Sequence, residues 1–328
     1  MTYNFDEIID RRNTNSENVE GWRPYIFHCG PERVFPYKDE EFIRMWVADM
    51  EFAVAPEILQ AITDRVDRRI LGYTLVYDKG YYEALRAWCE SRYGWSFPKE
   101  QLTFSPGVIP ALYQLTEDLV KPLNGKVLTM TPAYGFFLHA CEYNGVELVT
   151  SPLREENGHF SVDWEDLETK AADPDVKLLM LCNPHNPTGR IWTENELRRM
   201  AAIIEKHRLW VVSDEIHCDL IRAGLHHTPM GKVMPDYDRL ITCMSASKTF
   251  NLAGLMHSNI IIRDAEERAR FQDRDNWIWI RDAEKNQLVV GTQCRILYQD
   301  ALGRRDIALK FNEMVRNGEI GPVMLGRD

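Results

Sequence analysis

No run of apolar residues in this sequence approaches the roughly 18 needed to cross a bilayer as a helix. Internal repeats and low-complexity stretches are also missing. These absences set aside a helical membrane protein, a solenoid and a linker array. The seven cysteines, at positions 29, 89, 141, 182, 218, 243 and 294, contain no C-x-x-C pair and no metal-ligand spacing, so no metal site is expected. Their odd number, with no apolar leader in MTYNFDEIIDRRNTNS, leads us to expect a reducing cytoplasm. Positive charge is scarce: 39 Lys and Arg against 50 Asp and Glu give a formal net charge of −11. That balance argues against nucleic acid or an anionic membrane as the main partner. What is present, 328 residues that are 45% hydrophobic, suffices for two domains or one large α/β core with an appendage.

Residues 1–52 read as irregular and rich in aromatics. Pro56 then opens PEILQAITDRVDRRI, where Ile58, Leu59, Ile62, Val66 and Ile70 recur at helical spacing, and YYEALRAWCESRY follows as a second amphipathic helix. From about residue 102, short apolar runs (LTFS, KVLTMT, VELVTS, KLLMLC, WVVSD, RLITCM, SNIII) alternate with helical stretches such as TENELRRMAAIIEKHR. Runs apolar on successive residues suit strands covered on both faces. The expected fold is α/β, with a largely parallel sheet and helices on both faces. Ligands of such sheets lie at the carboxyl ends of the strands.

The residues with chemical potential fall at those ends. NPHNPTG (183–189) is a rigid turn, or a strand-to-helix connection capped by an asparagine. Asp214 is a buried carboxylate in need of a positive partner, or a helix N-cap. SPGVIPAL sets a glycine turn before a helix whose free N–H groups attract anions, or is simply a turn. Lys248 could be a solvated side chain, and Tyr134 could belong to the core. Together they supply an amine, an acid, a flat aromatic, an amide and a phosphate cradle at successive strand ends. Pyridoxal 5′-phosphate, an electron sink held as a Schiff base, needs that set.

FDEIIDRR, WVADMEFAVAPEI, LGYT, SPGVIPAL, PAYGFF, NPHNPTGRIWTENEL, VVSDEIHCDL and SASKTFNLAGL occur here in the order that resembles the pyridoxal-phosphate enzymes of the aspartate aminotransferase fold. Within them, residues 3–271 are most similar to the cystathionine β-lyases of the MalY/PatB kind. The resemblance implies a carbon–sulfur β-lyase giving thiol, pyruvate and ammonia from a small sulfur amino acid. An aminotransferase is the alternative on the same residues, and a catalytically defective chain that keeps the fold is a further one. It implies that Lys248 carries the internal aldimine and moves the substrate's Cα proton. Asp214 would pair with the pyridinium nitrogen, Asn186 with the phenolic oxygen, and Tyr134 would stack on the ring. His217 stands where aminotransferase-type relatives carry a tyrosine. Gly107, Val108 and Ile109 would hold the phosphate through their N–H groups, with Ser245. Tyr73 would reach across a homodimer interface to the neighbour's phosphate.

Members of this family continue past the lysine region into a long helix and a smaller C-terminal domain that carries an arginine for the substrate carboxylate. Here residues 277–328 instead resemble an internal stretch of urocanate hydratase, most visibly FNEMVRNGEIGPVMLGRD, without a dinucleotide-binding glycine fingerprint. The expected organisation is an N-terminal segment (1–55), a large cofactor-binding domain (56–271) and an atypical segment (272–328) in which the small domain is truncated or replaced. Within the last, QLVVG and CRILY are expected strands and RRDIALKFNEMVRNG a helix, packing poorly against the main domain. A misjoined or fused reading frame is the expected origin. Without the carboxylate clamp, weak cofactor binding and slow or absent turnover are expected.

Overall fold

A computed structural model describes residues 3–72, 79–276, 278–281 and 288–291. Its main sheet has seven strands: β1 (Leu102–Ser105), β2 (Lys126–Thr131), β3 (Glu147–Pro152), β4 (Val176–Cys182), β5 (Trp210–Asp214), β6 (Leu240–Met244) and β7 (Ser258–Ile262). Their order is β1-β7-β6-β5-β4-β2-β3. From β6 through β3 all neighbours pair in parallel, while β7 runs antiparallel to both β1 and β6. Every expected strand of residues 102–262 forms, and the sheet is largely parallel.

The apolar runs explain why both faces are covered. In β4, Leu178, Met180 and Cys182 enter one core while Leu179 and Leu181 enter the other. A strand alternates its side chains between faces, so a run without polar alternation needs cover on both. The helices Val108–Leu119, Gly135–Asn144 and Ala265–Asn276 contribute to one core, and Trp164–Ala171 and Glu194–His207 to the other. The last of these starts at a capping box between Thr193 and Glu196 and ends on left-handed Arg208.

Beyond the short helical turns Glu17–Glu20 and Trp22–Ile26, two longer helices precede the sheet, α1 (Pro56–Asp67) and α2 (Lys79–Tyr93). Cys89 and Tyr93 of α2 pack with Leu102, Cys218, Met244 and Ile261, which seats the helix beside the β1–β7–β6 edge. By contrast α1 buries no residue: Leu59, Ile62 and Val66 are 46%, 37% and 54% exposed. Its periodicity signals an apolar face, and nothing among the described residues covers that face. Residues 3–52 are mostly irregular, as expected, with the rings of Phe27, Phe35 and Phe42 lying 5.8, 5.5 and 4.9 Å from Trp22.

Beyond residue 276, Ile278–Arg281 pairs antiparallel with Leu288–Gly291, the latter within the expected strand QLVVG. The expected strand CRILY, the helix over 304–318 and the poor packing of this segment lie outside the described residues. Among the described residues no helix is long and apolar enough to cross a membrane.

Leu178 has no exposed surface and packs within one face's core. Leu178→Ala is expected to lower the unfolding free energy by about 2–5 kcal/mol in urea titration. A loss well under ~1 kcal/mol would contradict a close-packed core on that face.

Candidate functional site

The register of the sheet aligns the candidate residues. Cys182, Asp214 and Cys243 are consecutive partners across β4, β5 and β6. Asn186, Asp214 itself and Lys248 therefore issue from one end of three adjacent strands. The Asn183 N–H donates to the Asp214 carbonyl oxygen at 2.8 Å, joining the NPHNPTG turn to the end of β5. That turn is held internally by His185 N–H to Arg190 O at 2.7 Å and Gly189 N–H to His185 O at 2.8 Å. Asn186 is half-buried at its tip, and its carboxamide makes no hydrogen bond among the described residues. Tyr134 follows β2 as N-cap of the helix Gly135–Asn144.

Asp214 is 2% exposed. Its carboxylate accepts the Ile216 N–H at 3.2 Å. Burial pushes its pKa up to about 7, the neighbouring Glu215 adds to the rise, and Ile216 and Lys248 act against it. Burial lowers the pKa of Lys248, while Asp49, Asp214 and Glu17 raise it. His217 is lowered by burial and by Lys248. Tyr134 is raised by burial and by Asp214. Tyr134, Asp214, His217 and Lys248 thus share one electrostatic environment. An acid and an amine, both drawn toward neutrality by desolvation, stand with an aromatic ring beside them.

Lys248 sits on a single helical turn, Ala246–Thr249, capped by Ser245, whose Oγ accepts the Ser247 N–H at 3.1 Å. The lysine Nζ donates to the Ala48 carbonyl oxygen at 3.0 Å. Asn251 fastens the same stretch, accepting from Met50 N–H at 3.1 Å and donating to Met50 O and Phe52 O at 3.1 and 3.2 Å. WVADMEF therefore forms a wall against the lysine. Its motif was visible in the sequence but carried no assigned position.

The residues expected to cradle an anion follow β1 and β6. Both flank β7, where Ser258 faces Ser105 and Asn259 faces Met244. The Gly107 turn and Ser245 consequently emerge at the same sheet end. Gly107 has φ 150°, and a Cβ there would meet Pro110 at 3.3 Å, so glycine suits this start of the helix Val108–Leu119. Val108 and Ile109 lead that helix with N–H groups that have no partner within it. Ser245 Oγ donates to His257 O at 2.7 Å, which ties the lysine turn to β7. Tyr73 lies outside the described residues.

A buried acid lacking a full cation, an amine in reach of its charge, a half-buried tyrosine and a helix start suited to an anion fit a protonated aromatic ring bearing a phosphate. This combination on an open, largely parallel sheet defines an aminotransferase-like α/β class. The family model described as aminotransferase class I and II matches residues 40–277, and the chain belongs to that family. A second model, the urocanase C-terminal domain, matches residues 233–328 and so includes the segment whose resemblance starts at 277. The chain is 43% identical over 228 residues to cystathionine beta-lyase PatB of Bacillus subtilis, spanning 69% of this chain and 58% of that protein. It resembles the PLP-bound C-S lyase of Staphylococcus hominis at 44% identity and a TM-score of 0.77, covering 83% of this chain and 66% of that one. Cystalysin from Treponema denticola, whose structure contains pyridoxal 5′-phosphate, superposes with a TM-score of 0.75 at 31% identity, covering 91% and 73%.

Because Asp214 has a raised pKa in the folded chain, its proton is held more tightly folded than unfolded, and its ionisation costs stability as pH rises from about 4 to about 7. Asp214→Asn should therefore stabilise the cofactor-free chain at pH 8, by at most ~4 kcal/mol at roughly 1.4 kcal/mol per pH unit. The gain should vanish near pH 4. Equal gains at both pH values in denaturant titrations would refute the assigned burial cost.

Proposed function

We propose that this chain is a pyridoxal-phosphate-dependent carbon–sulfur β-lyase acting on a small sulfur amino acid such as L-cystathionine or a cysteine S-conjugate. The observation that carries the reading is the buried Asp214 carboxylate, with its pKa pushed up to about 7, within electrostatic reach of Lys248 and Tyr134. Bound there, pyridoxal phosphate supplies an electron sink conjugated to the substrate's Cα. Lys248 holds the cofactor through its amine and, once released by the substrate, takes the proton from Cα. A lowered pKa suits both tasks, since the amine must be neutral to attack and to accept a proton. Asp214 keeps a proton on the ring nitrogen. Tyr134 covers one ring face, Asn186 donates to the phenolic oxygen, and His217 lines the same side. The N–H groups of Gly107, Val108 and Ile109, with Ser245, hold the phosphate, and Tyr73 of a second copy completes it. The thiol departs from Cβ, and hydrolysis of what remains yields pyruvate and ammonia.

Similarity to lyases of this type over most of the chain supports the reaction class. The chain spans 58% of the Bacillus relative's length, so activity, substrate and assembly are parts of this proposal. We assign residues 56–271 to the cofactor-binding domain, 1–55 to an N-terminal segment and 272–328 to an atypical segment. The uncovered face of α1 supports a homodimer, because a second copy would remove that apolar surface from water. Six free cysteines among the described residues accord with a reducing cytoplasm. Arg11 and Arg44, on the N-terminal wall, pair with Asp49 and Glu51. Slow turnover is part of this proposal, because no residue here matches the family's arginine for the substrate carboxylate.

Lysine, aspartate and ring stacking serve an aminotransferase equally, and the matched family's description favours that second reading. Pyruvate released from cystathionine without a keto-acid acceptor separates the two. The decisive experiment incubates the purified chain with pyridoxal phosphate. A visible absorbance band that disappears in Lys248→Ala is expected, with pyruvate formed slowly. A colourless wild-type chain would sink the enzyme reading, and ordinary turnover would sink the missing clamp.

A further inference from the structure

Asp219 lies five residues beyond Asp214, and the chemistry above makes no use of it. Its side chain is 7% exposed. Four donors converge on its carboxylate: the Trp88 indole at 3.2 and 3.3 Å, Arg92 Nε at 2.8 Å, the Tyr93 hydroxyl, and Thr249 Oγ1 at 2.9 Å. Three of these belong to α2. The fourth is the residue that follows Lys248. Phe250, next in the chain, packs edge-on against Trp88 with ring centroids 5.6 Å apart. The Arg92 guanidinium lies over the Trp88 ring as well, 4.4 Å from its centroid, and balances the carboxylate's charge.

The lysine turn needs such support. Ala246–Thr249 is a helix of four residues, and one turn cannot hold itself by its own hydrogen bonds. Ser245 secures its first end through His257 O. Asp219 secures the second through Thr249. Across the turn, the lysine Nζ reaches Ala48 O and Asn251 grips Met50 and Phe52. The turn is therefore pinned from α2 on one side and from residues 48–52 on the other.

We infer that Asp219 is a positioning residue: acting through the Thr249 hydroxyl, it sets where the Lys248 amine stands relative to Asp214. Its catalytic meaning rests on the β-lyase reading, but the placement of the amine does not. Removing the Thr249 hydroxyl frees the far end of the turn and leaves the Arg92–Asp219 pair intact. The charged groups facing the amine, Asp49, Asp214 and Glu17, are unchanged by that substitution.

The test acetylates the purified full chain at fixed pH and follows residue 248 by peptide mass mapping. Lys79, whose side chain is 82% exposed, serves as internal reference. Thr249→Val is expected to raise the Lys248-to-Lys79 labelling ratio about tenfold, the equilibrium factor of one hydrogen bond to a charged group. Thr249→Ser should restore the wild-type ratio, and Asp219→Asn should raise it. Should Asp219→Asn not fold, the Val and Ser variants decide alone. A Thr249→Val ratio equal to wild type, or a serine variant that behaves like the valine one, overturns the inference. A parallel arm reduces the chain with borohydride after incubation with pyridoxal phosphate. A wild-type chain that carries no label at residue 248 overturns the β-lyase reading, while the acetylation ratio still decides the role of Asp219.

Discussion

A carboxylate at the buried end of a central strand is held against its hydration. Asp214 has traded water for one backbone N–H from Ile216, and the next residue is a second acid. Glu215 is satisfied: Ser213 Oγ and the Met230 N–H reach Oε1 at 2.8 Å each, and His227 Nε2 lies 2.8 Å from Oε2. Asp214 has no such set, and removing an ion from water without replacement costs several kcal/mol. The sheet order, the NPHNPTG turn and the lysine turn all place groups around this one unsettled charge. Folded proteins tolerate that kind of local conflict where function needs it.

Asp214 and Lys248 form a complementary pair of titrations. Burial moves both toward their neutral forms, while the charge of each draws the other back. A protonated ring nitrogen placed next to the carboxylate would complete its charge balance and leave the amine free for covalent chemistry. Such tuning works only if the amine is kept in place, and a single helical turn has little stiffness of its own. Contacts from α2 and from residues 48–52 supply it.

The seven strands were legible because consecutive apolar residues leave few alternatives inside an α/β pattern, and so was the placement of the candidate residues at the ends of those strands. The direction of β7 was not legible: SNIII carries no mark that distinguishes a parallel from an antiparallel neighbour. Nor was the Asp219 cluster, since its members at 88–93, 219 and 249 share no periodicity and meet only after the sheet edge and α2 have packed. The helical spacing of α1 announced an apolar face correctly but could not say what lies on it. Asp214 illustrates the gain from geometry. In the sequence it could have been an N-cap; in the structure its depth and its single backbone donor set it apart.

The two family matches overlap across residues 233–277, and the structure bears on which pattern that stretch follows. Every residue of β6 and β7 is buried, and β6 lies between β5 and β7 inside the sheet. Ile241, Cys243, Ile260, Ile262 and Phe271 share a core with Val127 and Leu178. Gln114 Nε2 donates to Phe271 O at 2.9 Å, fastening the helix Ala265–Asn276 to the helix Val108–Leu119. Residues up to 271 are thus integral to the same close-packed core as the strand that presents Asp214. Within a core of that density neighbouring side chains must fit one another, so this stretch is organised by the aminotransferase-type sheet. Among the described residues, Phe271 is the last in sequence to enter that core.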